Sequence, residues 1–356
     1  MKPLITALLD TYNHERYIEQ ALVSVVEQGL SPSELEIVVV DDGSTDSTPS
    51  IVQKFVPRVK HLRKKNGGQA SAFNAGFSEA GGQSVALLDG DDWWAKGKLS
   101  TVLQALEQEP EVAAISHAYY RYHEKSGELN IYGPSERTLL GLSTPDKARL
   151  ARRDWGFLQP SALTVRRTLL ERIMPIPEVL VFNADSPIAT ASMAMGARVL
   201  PQALSYYRFH GQNLYEIDHK DSAKLLRRYE MDDMMYSVLW PMLLRLGISE
   251  ECVSILLDQN WIWSNRTSLH TFGGSRLKTL RTEMRCFRST CENPTFAYRL
   301  FKYIIMVPAT LLLPPRQFYD LRNWYTRQNL ARLRGWLFGA EHPAGSAPPQ
   351  RAKAPE

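Results

Sequence analysis

Over the first hundred residues, short apolar runs alternate with stretches in which apolar residues return every three or four positions. Residues 4–9 read as a strand. Residues 15–28 read as a helix with Ile18, Ala21, Leu22, Val25 and Val26 on one face, stopped by Gly29. The β-branched run 36–40 has no polar alternation, as a strand covered on both faces requires. Ser47 or Thr48 can cap a helix through Phe55, and 59–62 follows as a third strand. A helix at 69–80 closed by Gly81 and Gly82, a strand at 84–88 and a helix at 97–107 complete the series. This β-α repetition predicts an α/β fold: a Rossmann-like, mostly parallel sheet with helices on both faces and ligands outside the carboxyl ends of the strands.

Beyond residue 112 the pattern is mixed, with strands expected at 112–120, 161–165 and 203–209 and a helix after Asp185. Residues 222–286 read as helical, and Tyr229, Met231, Met234 and Trp240 give that stretch an apolar face for packing. The expected division is therefore 1–112 and 113–215 as two halves of one α/β domain, then a C-terminal helical extension at 216–298. A basic amphipathic arm at 299–340 and a disordered tail at 341–356 follow.

Composition narrows this little: 44% hydrophobic and 22% charged residues describe an ordinary globular chain. A net charge of +4 is too mild to imply nucleic acid as a partner. Cys252, Cys286 and Cys291 form neither a CxxC pair nor a framework, which fits buried thiols in a reducing compartment. The apolar start ends at Asp10, too early for a signal peptide, and nothing approaches the ~20 apolar residues of a membrane span. We expect a cytoplasmic protein, peripheral on the inner face of the cell membrane if its arm binds there.

That arm begins in the apolar, proline-broken stretch 303–315. It continues with Arg316, Arg322, Arg327, Arg332 and Arg334 among Phe318, Tyr319, Trp324, Tyr325 and Trp336. Such a segment suits an anionic membrane surface, and equally a helix packed on its own domain.

The candidate chemistry lies at the strand ends. Asp89 and Asp91 flank Gly90 directly after an apolar strand, so in an extended segment both carboxylates project alike and can share one cation. Hard oxygen ligands suit Mn²⁺ or Mg²⁺, with substrate phosphates filling the remaining positions. Trp93 and Trp94 can wall such a pocket; the competing reading of the cluster is a solvated turn. At the second strand's end a carboxylate of the pair Asp41 and Asp42 can accept the ring N–H of a pyrimidine, or cap a helix. Tyr12 can stack on a base, with Thr11 shaping its loop, and Asn66, Asn74 and Gly76 suit a ribose or phosphate.

Five segments in order, 11–18, 39–46, 66–76, 88–93 and 207–210, together resemble glycosyltransferase family 2, the inverting nucleotide-sugar transferases of GT-A fold. The resemblance spans about 2–213. It makes 1–112 the nucleotide-sugar-binding half and 113–215 the acceptor and catalytic half. It implies that Asp42 recognises the base, that Asp89 approaches ribose and metal, and that Asp91 is the main metal ligand. Thr11, Tyr12, Glu15, Asn66, Asn74, Gly90 and Arg208 complete the implied donor site, and His210 joins Asp89 and Asp91 as a metal ligand or phosphate contact.

An inverting transfer needs a general base, which the family places in a Glu-Asp pair opening a helix. Asp185 occupies that position, with Ala184 in place of the first acid; a helix N-cap is the competing reading, and Asp154 is the second choice. The function so implied is inverting transfer from a nucleoside-diphosphate sugar, a UDP-sugar first, to a glycan or lipid-linked acceptor in cell-surface polysaccharide biosynthesis. The alternative is a catalytically inactive nucleotide-sugar-binding or membrane scaffold. No GxGxxG loop opens a helix, which argues against dinucleotide oxidoreductases.

Overall fold

The protein is described from a computed structural model, which covers residues 2–181, 183–211, 222–290, 304 and 306–327. It divides into two compact units, Met1–Leu257 and Asp258–Glu356, with the boundary inside one helix.

Unit 1 is built on a ten-stranded sheet of order β3-β2-β1-β4-β9-β6-β10-β5, with β7 and β8 pairing on β6 and β10. Its N-terminal half follows the expected alternation: β1 (Ile5–Thr11), α1 (Ile18–Val26), β2 (Leu35–Asp41), α2 (Thr48–Gln53), β3 (Lys60–Arg63), α3 (Gln69–Glu79), β4 (Ser84–Asp89). The pairings β1–β2, β1–β4 and β2–β3 are all parallel. Then come β5 (Trp93–Trp94), α4 (Lys98–Gln108), β6 (Ala114–His123), β7 (Glu128–Tyr132), β8 (Thr138–Leu140) and α5 (Pro145–Arg153). Next are β9 (Thr164–Arg166), α6 (Arg167–Ile173), α7 (Asp185–Ala194), β10 (Ala197–Phe209) and α8 (Ser222–Arg245). Here the sheet is mixed: β10 runs parallel to β6, whereas β9 is antiparallel to both β4 and β6.

Alternation along the central strands sorts the core into two layers, because successive side chains leave opposite faces of a sheet. Leu8, Val38, Val40, Val85 and Leu87 pack with Phe73 of α3 and Ile188 of α7. Ile5, Ala7, Leu9, Ile37, Val39 and Leu88 pack on the other face with Ile18, Leu22 and Val25 of α1. Gly76, expected beside a ligand, is a packing residue instead: a Cβ there would collide with Leu8 and Val40, so only glycine lets α3 lie this close.

Unit 2 holds most of α9 (Glu250–Phe272), then α10 (Arg276–Thr290) and α11 (Pro315–Arg327) around Leu269, Met306, Phe318 and Tyr319. Arg266 forks onto the buried Glu283 at 2.7 and 2.6 Å. Phe318 and Tyr319 of the expected amphipathic arm are thus core residues of this unit, 5% and 2% exposed, as the packed-helix alternative for that arm requires. Arg332, Arg334 and Trp336, the side chains of Trp324, Tyr325 and Arg327, and the tail 341–356 lie outside the described residues. Among the described residues no helix is long and apolar enough to cross a membrane.

Candidate active site

The strand order places the ends of β2, β1 and β4 side by side, and the register pairs Asp10 with Asp89 and Thr11 with Asp41. Asp89 ends β4, and the chain turns at once: the Asp92 N–H donates to the Asp89 carbonyl at 3.0 Å. A tight turn, not an extended segment, therefore gathers the acids, which corrects the expected geometry. Gly90 is required at its centre, because a Cβ would sit 2.7 Å from both Thr11 Oγ1 and His14 Nδ1.

One ligand atom from each of Asp89, Asp91 and Asp92 lies within 4.8 Å of the others. The three acids differ in what already holds them. Asp92 Oδ2 accepts from the Ser161 hydroxyl at 2.6 Å and Gln159 Nε2 at 2.9 Å, and Oδ1 accepts from the Arg208 N–H at 2.9 Å. It is turned into the protein as a brace. Asp91 Oδ2 lies 3.0 Å from His210 Nε2. Asp89 keeps Oδ1 buried without a hydrogen-bond partner, and so does its strand neighbour Asp10.

Asp10 and His14 escaped the sequence reading. Burial, then the charges of Asp91 and Asp185, push the Asp10 carboxyl up to about 7. Burial and the charge of Asp10 raise Asp89 well above the usual carboxylate range, and burial and Asp91 push Asp92 up to about 8. Asp91 goes the other way: burial opposes it, but the His210 hydrogen bond and the charges of His14 and His210 hold its carboxyl low. Like-charged acids crowded out of water, two of them with an unsatisfied oxygen, suit a divalent cation with hard-oxygen preference.

Asp185 lies near enough for its charge to act on both Asp10 and Asp89. It is the first residue of α7, and the N-cap position belongs to Ala184, whose N–H donates to Gln69 Oε1 at 3.0 Å. Burial, opposed by the backbone N–H groups of Asp185 and Ser186, pushes its carboxyl up to about 6. Asp154 instead sits in a fork from Arg153 at 2.9 and 3.0 Å.

The other expected residues divide between open and engaged. Tyr12 is 45% exposed and Asn66 is exposed at the same rim. Asp42 anchors the 64–68 loop, accepting from Lys64 Nζ at 2.7 Å and from the N–H groups of Gly67 and Gly68 at 3.1 and 2.7 Å. Glu15 staples the loop after β1 to the loop after β2: its Oε2 accepts from Ser47 N–H at 2.9 Å and its own N–H donates to Asp46. Asn74 does not reach the site, because its Oδ1 and Nδ2 are both bonded to the Ile176 backbone, at 2.7 and 2.8 Å.

Arg208 is engaged within the protein as well. It is 6% exposed, donates from Nε to the Asp91 carbonyl at 2.8 Å and from Nη2 to Gln20 at 2.6 Å, and lies over the rings of Tyr17 and Trp93. Trp93 stacks on Tyr206, while Trp94 is 3% exposed and belongs to the core rather than to a pocket wall.

Comparison with known proteins bears on the family and the fold. Residues 6–174 match the family model described as glycosyl transferase family 2. An uncharacterized glycosyltransferase of Nostoc is 34% identical over 224 residues, covering 59% of this chain and 66% of that protein. The uncharacterized glycosyltransferase EpsJ of Bacillus subtilis is 27% identical over 249 residues, covering 67% of this chain and 71% of that protein. Among solved structures, residues 1–349 of S. aureus TarS in complex with UDP-GlcNAc superpose with a TM-score of 0.52 at 20% identity, over 81% of this chain and 89% of that one. That likeness establishes the fold.

Proposed function

For a chain that belongs to glycosyl transferase family 2, we propose inverting transfer of a sugar from a nucleoside-diphosphate sugar to a hydroxyl of a glycan or lipid-linked acceptor. The observation that carries this reading is the cluster of Asp89 and Asp91 at the carboxyl end of the sheet, with Asp185 near enough for its charge to act on Asp89. Asp89 and Asp91 would hold Mn²⁺ or Mg²⁺, with Asp10 behind them. The cation would neutralise charge on the departing diphosphate. Asp185 takes the proton of the acceptor hydroxyl as its oxygen bonds to the anomeric carbon and the carbon–diphosphate bond breaks on the opposite face. His210 and Arg208 keep Asp91 in place, one on its carboxylate and one on its carbonyl. Tyr12 and the rim at Asn66 offer the open surface for the base; a uridine donor is the first choice, the class that TarS holds in its complex.

The test is a screen of nucleotide sugars and acceptors with Mn²⁺ and with Mg²⁺, reading release of nucleoside diphosphate. Turnover that needs a divalent cation and disappears in Asp91→Asn is the expected outcome. Cation-independent turnover, or an Asp91→Asn protein with undiminished rate, refutes the assignment.

A further inference from the structure

Behind the acidic turn lies a residue to which no role in transfer has yet been given. Ser161 is fully buried in the short helical turn Pro160–Ala162 that precedes β9. Its hydroxyl donates to Asp92 Oδ2 at 2.6 Å and accepts the Asp89 N–H at 3.1 Å, so one oxygen touches both ends of the turn that presents the acids. Its carbonyl is gripped from the other side by Trp94 Nε1 at 3.0 Å and Lys98 Nζ at 2.9 Å. Lys98 is fully buried and lies 3.7 Å above the Trp94 ring. Burial holds its amine well below the usual lysine range, because desolvating a charge there is expensive. Here it fixes a single backbone carbonyl.

The geometry points to Ser161 as a positioning residue for the cation site, with Lys98 as the anchor that holds it; the inference rests on the reading of Asp89 and Asp91 as cation ligands. Asp92, which stands among the clustered acids, is on this account a brace rather than a ligand, since both of its oxygens already accept hydrogen bonds from the protein. Ser161 lies in the half of the domain, 113–215, that the family resemblance assigns to the acceptor. That half and the ligand turn therefore share one hydroxyl. Outer groups of this kind orient the inner ligands of a metal.

The test uses the full chain and UDP as probe, titrated calorimetrically with saturating Mn²⁺ and again in EDTA. Ser161→Ala is expected to weaken the Mn²⁺-dependent affinity by roughly 10–100-fold, the usual effect of removing an outer-shell partner. The EDTA value should stay as in the wild type, a split that general loosening of the fold would not produce. Lys98→Met should act in the same direction. If Ser161→Ala does not fold, Gln159→Met carries the test, because Gln159 is part-exposed and donates to the same Asp92 oxygen. A folded Ser161→Ala protein with wild-type Mn²⁺-dependent affinity overturns the positioning role alone, as does unchanged affinity in Gln159→Met when Ser161→Ala cannot fold. A wild-type protein whose UDP binding ignores Mn²⁺ overturns the cation reading and this role with it.

Discussion

Replacing Asp185 by Asn removes the proposed base while keeping its shape, and the structure fixes what should follow. Burial raises this carboxyl from 3.8 to about 6. A raised value means that the charged, proton-accepting form appears only as pH climbs past it. At pH 7 about ten carboxylates stand ready for each protonated one, and at pH 5 the ratio is inverted to about one in ten. Release of nucleoside diphosphate, measured from pH 5 to 8 with saturating donor and Mn²⁺, should therefore fall about tenfold per unit below the inflection. Asp185→Asn should lower kcat by roughly 10²–10⁴-fold and abolish this acid limb.

Stability must move the opposite way. The folded chain holds this proton more tightly than the unfolded one, so the group's contribution is complete below 3.8 and is lost as pH rises through about 6. At neutral pH the amide variant should thus melt no lower than the wild type while losing its activity. A variant of wild-type rate, or an acid limb that survives the substitution, refutes Asp185 as the base.

Gly90→Ala should abolish donor binding without unfolding the sheet, checked by UDP titration beside circular dichroism, because its Cβ would press on Thr11 and His14 at 2.7 Å. Asn74→Ala should destabilise the protein by about 1–3 kcal/mol in urea, the cost of leaving buried polar groups unpaired, and leave the KM for donor unchanged. Arg208→Met removes the side-chain hydrogen bonds to the Asp91 carbonyl and to Gln20, so a loss of about 1–3 kcal/mol should accompany weakened Mn²⁺ affinity; lost affinity with unchanged stability would instead indicate direct contact with the ligand.

The central strands and the order of helices were legible because hydrophobic period and glycine placement are local properties. Residues 36–40 could hardly be anything but a covered strand, and Asp89 and Asp91 announced themselves by following one. Asp10 was silent for the opposite reason: a single acid ending β1 acquires meaning only when the register sets it against Asp89, far along the chain. Ser161 looked like an ordinary small residue until folding carried it to Asp92. Asn74 shows the reverse failure. An exposed-looking amide near a glycine loop suits a ribose, yet Ile176, distant in sequence, satisfies both of its polar ends. Spacing reveals which residues are chemically able; it does not reveal which are already engaged.

The last strand of the sheet has a consequence for the order of events at synthesis. The acids at the ends of β1 and β4 are made early, but Asp185, Arg208 and His210 follow only after the matched stretch 6–174 is complete. While the chain emerges from the ribosome, the turn at Asp91 therefore lacks the arginine and histidine that hold it. β10 is thus the strand on which the turn depends for its hold, although it is the last of the sheet to be made.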